Sequence, residues 1–298
     1  MSVALILGSA FGTPELAGKA LTPVEIETLH GPAILYRWPG RPDGWVLFRH
    51  GTPHRWLPNQ VPYRAQAAAL AAVGVEAVLI TSSVGVIDLA VPLFVPLRVT
   101  DLVMPDNRLP DGSACTLFVE PFPGQGHLVI EGGLFDAELG AQVDRLAAEA
   151  GHPVAGEVVF TYVGGPRTKT AAENRWFAAQ GAQVNSMTVG PEAVLLNELG
   201  IAVAAVVVGH KHSHPDAPKV EPEALADSLD QSRAAVEALA AAWLDRGAAV
   251  SFKNAFYRFD DVGDGVAFDD GDDGHEHEHD EHDEHDEHGD EEDWEGDA

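Results

Sequence analysis

Where the apolar run Gly44–Phe48 ends, the chain continues as Arg49-His50-Gly51-Thr52-Pro53-His54 and places one guanidinium and two imidazoles at a strand terminus. Arginine is a planar, permanently charged donor suited to phosphate oxygens, and histidine adds a second donor, so this group has the chemistry of an oxyanion grip. Ser9 lies in the Gly-containing turn after the apolar run Val3–Leu7 and brings a hydroxyl beside backbone N–H groups that can cradle a phosphate. Thr81-Ser82-Ser83 adds three consecutive hydroxyls, and the stretch Gly164–Glu192 crowds hydroxyls, backbone amides and Met187 into one place. Another cluster of polar side chains, Gly209-His210-Lys211-His212-Ser213-His214, follows the longest apolar run.

These groups need strands to hold them. Val3–Leu7 and Ile201–Val208 are continuous apolar runs that predict buried strands, and in open α/β sheets such strands carry ligands at their carboxyl ends. Ala33–Trp38 and Gly44–Phe48 flank a Pro-Gly loop and predict a hairpin. Tyr63–Val73 has the alanine content and period of a packed helix, Glu76–Ile80 reads as a strand ending at the three hydroxyls, and Leu97–Met104 reads as a further strand. A long polar loop is predicted for residues 105–126. The helix Phe135–Ala150, the strand Glu157–Val163, a helix after Glu192 closed by Gly200, the long helix Glu221–Arg246 and a last strand Ala255–Phe259 complete an α/β pattern.

The chain has 298 residues and a formal charge of −29. Its acidity is concentrated, since residues 260–298 hold 21 of the 47 carboxylates and no Lys or Arg. The remaining body carries 26 acidic and 18 basic side chains, a net of −8, and has no basic patch for a nucleic-acid partner. The single cysteine, Cys115, cannot form an intramolecular disulfide and reads as a small apolar filler in a reducing compartment. No secretory signal and no membrane span is legible, so a cytoplasmic protein is expected. One globular domain over 1–259 and a disordered acidic, His-rich tail over 260–298 are predicted.

In combination the motifs resemble those of the purine nucleoside and methylthioadenosine phosphorylases. Arg49-His50-Gly51, His54, Pro58, Val61 and Tyr63 match an Arg-His-Gly motif of methylthioadenosine phosphorylases, while Gly165-Pro166-Arg167, Met187-Thr188 and Pro191-Glu192 match the later family pattern. The resemblance spans roughly residues 3–250 and implies a single α/β domain with a mixed central sheet flanked by helices, assembled as a homotrimer. It implies phosphate contacts for Ser9, Arg49, His50, Ser82, Ser83 and Thr188, and nucleoside contacts for Met187, Lys169, His54 and Ser213. Inorganic phosphate is then the co-substrate, with no cofactor required.

Two departures concern recognition. Thr52 stands where the family often has a second arginine. His210 or Lys211 occupies the place of the Asp or Asn that binds the purine, and these two are the candidate catalytic residues. Lysine offers only donors, so an oxygen at position 6 of the base is favoured over an amino group. The implied activity is phosphorolysis of a purine nucleoside, of the 6-oxopurine or methylthio type; the alternative is a phosphorylase-like ligand- or metal-binding protein. For the second reading, the alternating His275, His277, His279, His282, His285 and His288 of the tail offer imidazoles and carboxylates to zinc or nickel, and His210, His212 and His214 repeat the alternation within the body.

Overall fold

The structure, a computed structural model, describes residues 2–121, 125–213, 217 and 222–258, with the side chains at 222–226, 228 and 229 outside that description. The strands in chain order are β1 (Ser2–Leu7), β2 (Glu15–Leu16), β3 (Lys19–Ala20), β4 (Thr22–Ile26), β5 (Ala33–Arg37) and β6 (Gly44–Phe48). After α1 (Tyr63–Ala72) come β7 (Val75–Val86), β8 (Pro96–Val103) and β9 (Gly126–Val129). The later elements are α2 (Ala137–Glu149), β10 (Glu157–Tyr162), α3 (Ala171–Ala179), β11 (Val184–Ser186), α4 (Gly190–Glu198), β12 (Ala202–His212), α5 (Pro222–Arg246) and β13 (Ala255–Arg258).

Nine strands form one mixed sheet in the order β11-β10-β8-β12-β7-β1-β6-β5-β4. Its centre is parallel, with β1 between β6 and β7 and β7 beside β12. The expected β5–β6 hairpin is antiparallel, and β12–β8 is antiparallel too. The sheet also closes on itself, because β11 pairs antiparallel with the far half of β7, Val184 facing Val86 and Asn185 facing Gly85. The length of β7, 12 residues, makes this possible: its first half lies against β1 and its second half runs beyond the end of β1.

Side-chain alternation gives this sheet two apolar faces. One face carries Ala4, Ile6, Val78, Ile80, Val203, Ala205 and Val207, packed with residues of α1 and α4. The other carries Val3, Leu5, Leu7, Leu79, Ala204 and Val206, packed with residues of α2 and α5. Trp243 of α5 is fully buried there, and its indole N–H donates to the carbonyl oxygen of Ala4 at 2.8 Å. Cys115 is buried and its thiol pKa is pushed up to about 12 by that burial, which makes it an unreactive filler.

Several boundaries differ from the sequence reading for a common reason. The strand expected to end at Ile80 continues through the hydroxyls to Val86, and the one expected to end at Val208 continues to His212. These extensions pair with one another, Gly209 with Val84 and Lys211 with Gly85, so cross-strand partners override local polarity. β9 carries no strong apolar alternation, and its partner β13 is remote in the chain, whereas β4 pairs with the adjacent β5. The β9 strand forms inside and beyond the end of the segment expected to be a loop. Among the described residues, no helix is long and apolar enough to cross a membrane. The tail and the end of the last expected strand, from residue 259 onward, lie outside the described residues.

Candidate active site

A cavity of about 710 Å³ opens where the carboxyl ends of β1, β6, β11 and β12 meet the extension of β7. Its wall includes Ser9, Arg49, His50, His54, Ser82, Ser83, Lys169, Met187, Thr188, Lys211 and Ser213. Eleven of the twelve nucleoside- and phosphate-site residues expected within the body are thus brought together. His210 is the exception.

At one end, Arg49 is fully buried and forms a two-pronged ion pair with Glu192 of α4, Nε to Oε1 at 2.5 Å and Nη2 to Oε2 at 2.6 Å. Its Nη1 donates to the carbonyl oxygen of Thr81 at 3.2 Å. These three bonds engage three of the five N–H donors of the guanidinium. The sequence reading treated Arg49 as a free phosphate grip and Glu192 as the opening of a helix; the pair joins positions 143 apart, with no local signal to reveal it.

Glu192 has a second task. Val189 holds φ 74° and ψ −52°, and the N–H of Gly190 donates to the carbonyl oxygen of Thr188 at 3.0 Å, which makes a γ-turn of the strained, positive-φ kind. Such a backbone costs on the order of 1–3 kcal/mol for a non-glycine residue. The N–H of Val189 donates to Glu192 Oε2 at 3.2 Å and so helps to hold it. Gly190 is required by space: a Cβ there would lie 2.7 Å from Cβ of Tyr162. The sharp turn sets the Thr188 hydroxyl at the N-terminus of α4, an environment favourable to anions.

Thr188 Oγ1 lies 3.5 Å from Ser82 Oγ and 3.4 Å from Ser186 Oγ, and Ser82 and Ser186 are 3.4 Å apart. The three hydroxyls therefore form a triangle beside the guanidinium. Ser186 was missed in the sequence, although the alternation Val184-Asn185-Ser186 in a short strand puts it on the same side as Val184 and sets it two residues before Thr188. His50 completes this end. Its Nδ1 is 2.9 Å from the carbonyl oxygen of Trp56, which places the proton on Nδ1 and leaves Nε2 an acceptor in the neutral ring. Burial, then the charge of Arg49, lowers its pKa below the usual histidine value. The ring therefore presents an acceptor to the cavity rather than a second cation. His54 lines the cavity, but its Nε2 is 2.9 Å from the carbonyl oxygen of Phe11 and ties the loop carrying Ser9 to the loop after Arg49.

The other end is built from Gly85, Thr168, Lys169, Asn174, Asn185, Lys211, His212 and Ser213. Asn174 Nδ2 donates to the carbonyl oxygen of Ser213 at 2.7 Å, and the N–H of Ser213 donates to Val86, so the end of β12 is fastened to α3 and β7. Lys169 sits in the loop before α3. That helix opens with a capping box in which Thr170 Oγ1 accepts from the N–H of Glu173 at 3.2 Å and Glu173 accepts from the N–H of Thr170 at 2.7 Å. Arg167 binds the same carboxylate at 2.6 and 2.8 Å, so the residues on either side of Lys169 are pinned to Glu173. The lysine is half-buried, and its pKa is lowered to about 8, by burial first and then by Lys211, against an opposing pull from Glu173.

His210 faces elsewhere. His210 is the extra residue where the register of β12 shifts between Gly209 and Lys211, and it lines a neighbouring cavity of about 380 Å³ with Phe11, Ser232 and Arg233. Its Nε2 is 3.3 Å from Ser232 Oγ and its ring stacks on Phe94. Lys211 and His210, two candidates for one task, are therefore divided between two cavities, and Lys211 faces the first. His214 lies outside the described residues, as do all six tail histidines. Among the described residues no group of three or more His, Cys, Asp or Glu side chains is placed to hold a metal ion.

The sequence pattern of the Phosphorylase superfamily matches residues 2–246. The chain belongs to this superfamily. Among the relatives of this phosphorylase-superfamily member is the S-methyl-5'-thioadenosine phosphorylase of Mycolicibacterium smegmatis, 34% identical over 214 residues that cover 70% of this chain and 76% of that one. The probable S-methyl-5'-thioinosine phosphorylase of Thermodesulfovibrio yellowstonii is 28% identical over 77% of this chain and 86% of its own length. A mutant adenosine/methylthioadenosine phosphorylase from Schistosoma mansoni, solved in complex with methylthioadenosine, has the same fold, with a TM-score of 0.71 at 22% identity over 82% of this chain and 90% of that one.

Two substitutions test the phosphate end. Glu192→Gln leaves the buried Arg49 charge uncompensated and is expected to lower the unfolding free energy by about 3–5 kcal/mol, measured by urea denaturation. Ser186→Ala removes one uncharged donor and is expected to weaken inorganic phosphate binding roughly 2- to 12-fold, the equivalent of about 0.5–1.5 kcal/mol, by calorimetric titration.

Proposed function

We propose that this protein is a nucleoside phosphorylase, a pentosyltransferase that uses inorganic phosphate to cleave a purine nucleoside into free base and sugar 1-phosphate. The observation that carries this reading is the polarity of the single cavity. One end carries the positive charge of Arg49, the Ser82, Ser186 and Thr188 hydroxyls and an acceptor on His50; the other offers Lys169 and Lys211, and Met187 also lines the cavity. The relatives named as methylthioadenosine phosphorylases support the same reaction class.

Attack of phosphate on C1′ passes through a cation-like sugar, so the chief requirements are position and charge rather than a covalent nucleophile. Hydrogen phosphate is held by Arg49, Ser9 and the hydroxyl triangle while its own O–H donates to His50. Met187 floors the ribose. Lys169 and Lys211 present only donors to the base, which suits an oxo group at position 6. One relative, 28% identical, is named as a probable phosphorylase of methylthioinosine, whose base carries such an oxygen, whereas the 34% identical relative is named for methylthioadenosine, so this preference rests on the lysines. No cofactor is needed for the chemistry, and the body works as the domain 1–259 in the cytoplasm, with the acidic tail a separate segment.

In a nucleoside panel, release of free base is expected only with phosphate present, and faster from inosine, guanosine or methylthioinosine than from adenosine or methylthioadenosine. Turnover of the 6-amino compounds with none of the 6-oxo compounds overturns the base preference, and equal hydrolysis without phosphate overturns the phosphorylase. The assembly proposed is a homotrimer, for which light scattering on the eluting protein is expected to give three times the 31.7 kDa chain mass.

A further inference from the structure

We propose that Lys169 is the acid that protonates the departing base, a role that neither His210 nor Lys211 fills. This rests on the phosphorylase reading and assigns the proton transfer at that same site. The donor must stand at the end of the cavity away from the phosphate grip. His210 is excluded because it lines the neighbouring cavity and is engaged with Ser232 and Phe94. His212 lines the base end, with its Nε2 3.4 Å from the carbonyl oxygen of Val91. Lys211 is solvent-exposed and is not fixed against the cavity wall by burial.

Lys169 differs in two ways. It is half-buried, and its loop is fixed by the bonds of Arg167 and Thr170 to Glu173, so the ammonium is presented from a rigid segment. The charges around it also favour release of the proton. Glu173 of α3 is the nearest compensating carboxylate, yet its oxygens are already occupied by Arg167 and by the N–H of Thr170. Lys211 of β12 repels the ammonium. Across the cavity, Arg49 is matched by Glu192 and His50 is held neutral by burial, while His54 is tied to Phe11. An ammonium titrating near 8 remains mostly charged at neutral pH and is a far stronger acid than an ordinary lysine.

The step balances as follows. A phosphate oxygen bonds to C1′ as the C1′–N9 bond breaks, and its electron pair passes to the base. The ammonium of Lys169 gives its proton to N7, producing the neutral base and a neutral amine. The proton carried by the attacking hydrogen phosphate then returns through solvent to the amine, so the net reaction moves that proton from phosphate to base.

The test compares inosine with 7-methylinosine at saturating substrate for the wild type, Lys169→Gln and Lys169→Arg. A 7-methylated base already carries positive charge and departs neutral without a proton. Both variants are expected to lose about 10²- to 10⁴-fold in kcat on inosine, to lose at least about tenfold less on 7-methylinosine, and to lack the fall in inosine kcat above about pH 8 that is expected of the wild type. Arginine keeps the charge but cannot release its proton, so wild-type inosine turnover by Lys169→Arg overturns the proposal. Equal loss on both nucleosides also overturns it and marks a structural role. If the wild type cleaves neither nucleoside, the phosphorylase reading itself fails; if it cleaves both and the variants match it, only the role of Lys169 fails.

Discussion

The buried pair between Arg49 and Glu192 is the constraint on which the site depends. A guanidinium without access to water needs a carboxylate beside it, and removal of either partner strands a charge in the interior. Glu192 satisfies Arg49 and also holds the Val189 turn, so the same two oxygens tie the end of β6 to the start of α4. The position of Thr188 follows from that tie. The direction of this permanent positive charge is thus fixed by bonds already made.

From this anchor the rest of the cavity is arranged by strand pairing. Antiparallel closure of β11 on β7 returns Thr188 to the neighbourhood of Ser82, although the two lie 106 positions apart. At the other end the same long β7 supports the Lys211–Ser213 segment, with Gly85 leaving room for Ser213: a Cβ at Gly85 would come within 2.4 Å of its Oγ. The buried amide of Asn174 finishes the attachment through the carbonyl oxygen of Ser213. Rigid elements thus place the groups at both ends of the cavity.

Much of this was legible in the amino-acid order because the groups sit where strands end. The apolar run of β1 announced Ser9, and that of β6 announced Arg49 and His50. Less legible was anything made by two distant segments. Glu192 looks like an ordinary first-turn carboxylate, and Ser186 like one polar residue in a three-residue strand, until sheet closure brings their partners. The choice between His210 and Lys211 was equally hidden, since it turns on which side of β12 each residue faces. That side became clear only once the strand was seen to extend past Val208, where histidine and lysine would locally suggest a loop.

Because β7 runs without a break from Ser82 to Gly85, the separation of the two ends of the cavity is measured along a strand, at about 3.3 Å for each residue. Loop insertions around the rim can therefore change which chemical groups meet a ligand while leaving the gauge between its ends unchanged. Inserting or deleting a residue within this part of β7 has a different result. It reverses the facing of every side chain beyond the change, so the hydroxyls and the glycine could not both keep their places. Variation in what the cavity recognises is thus channelled into its surrounding loops, and variation in ligand length is excluded by the pleat.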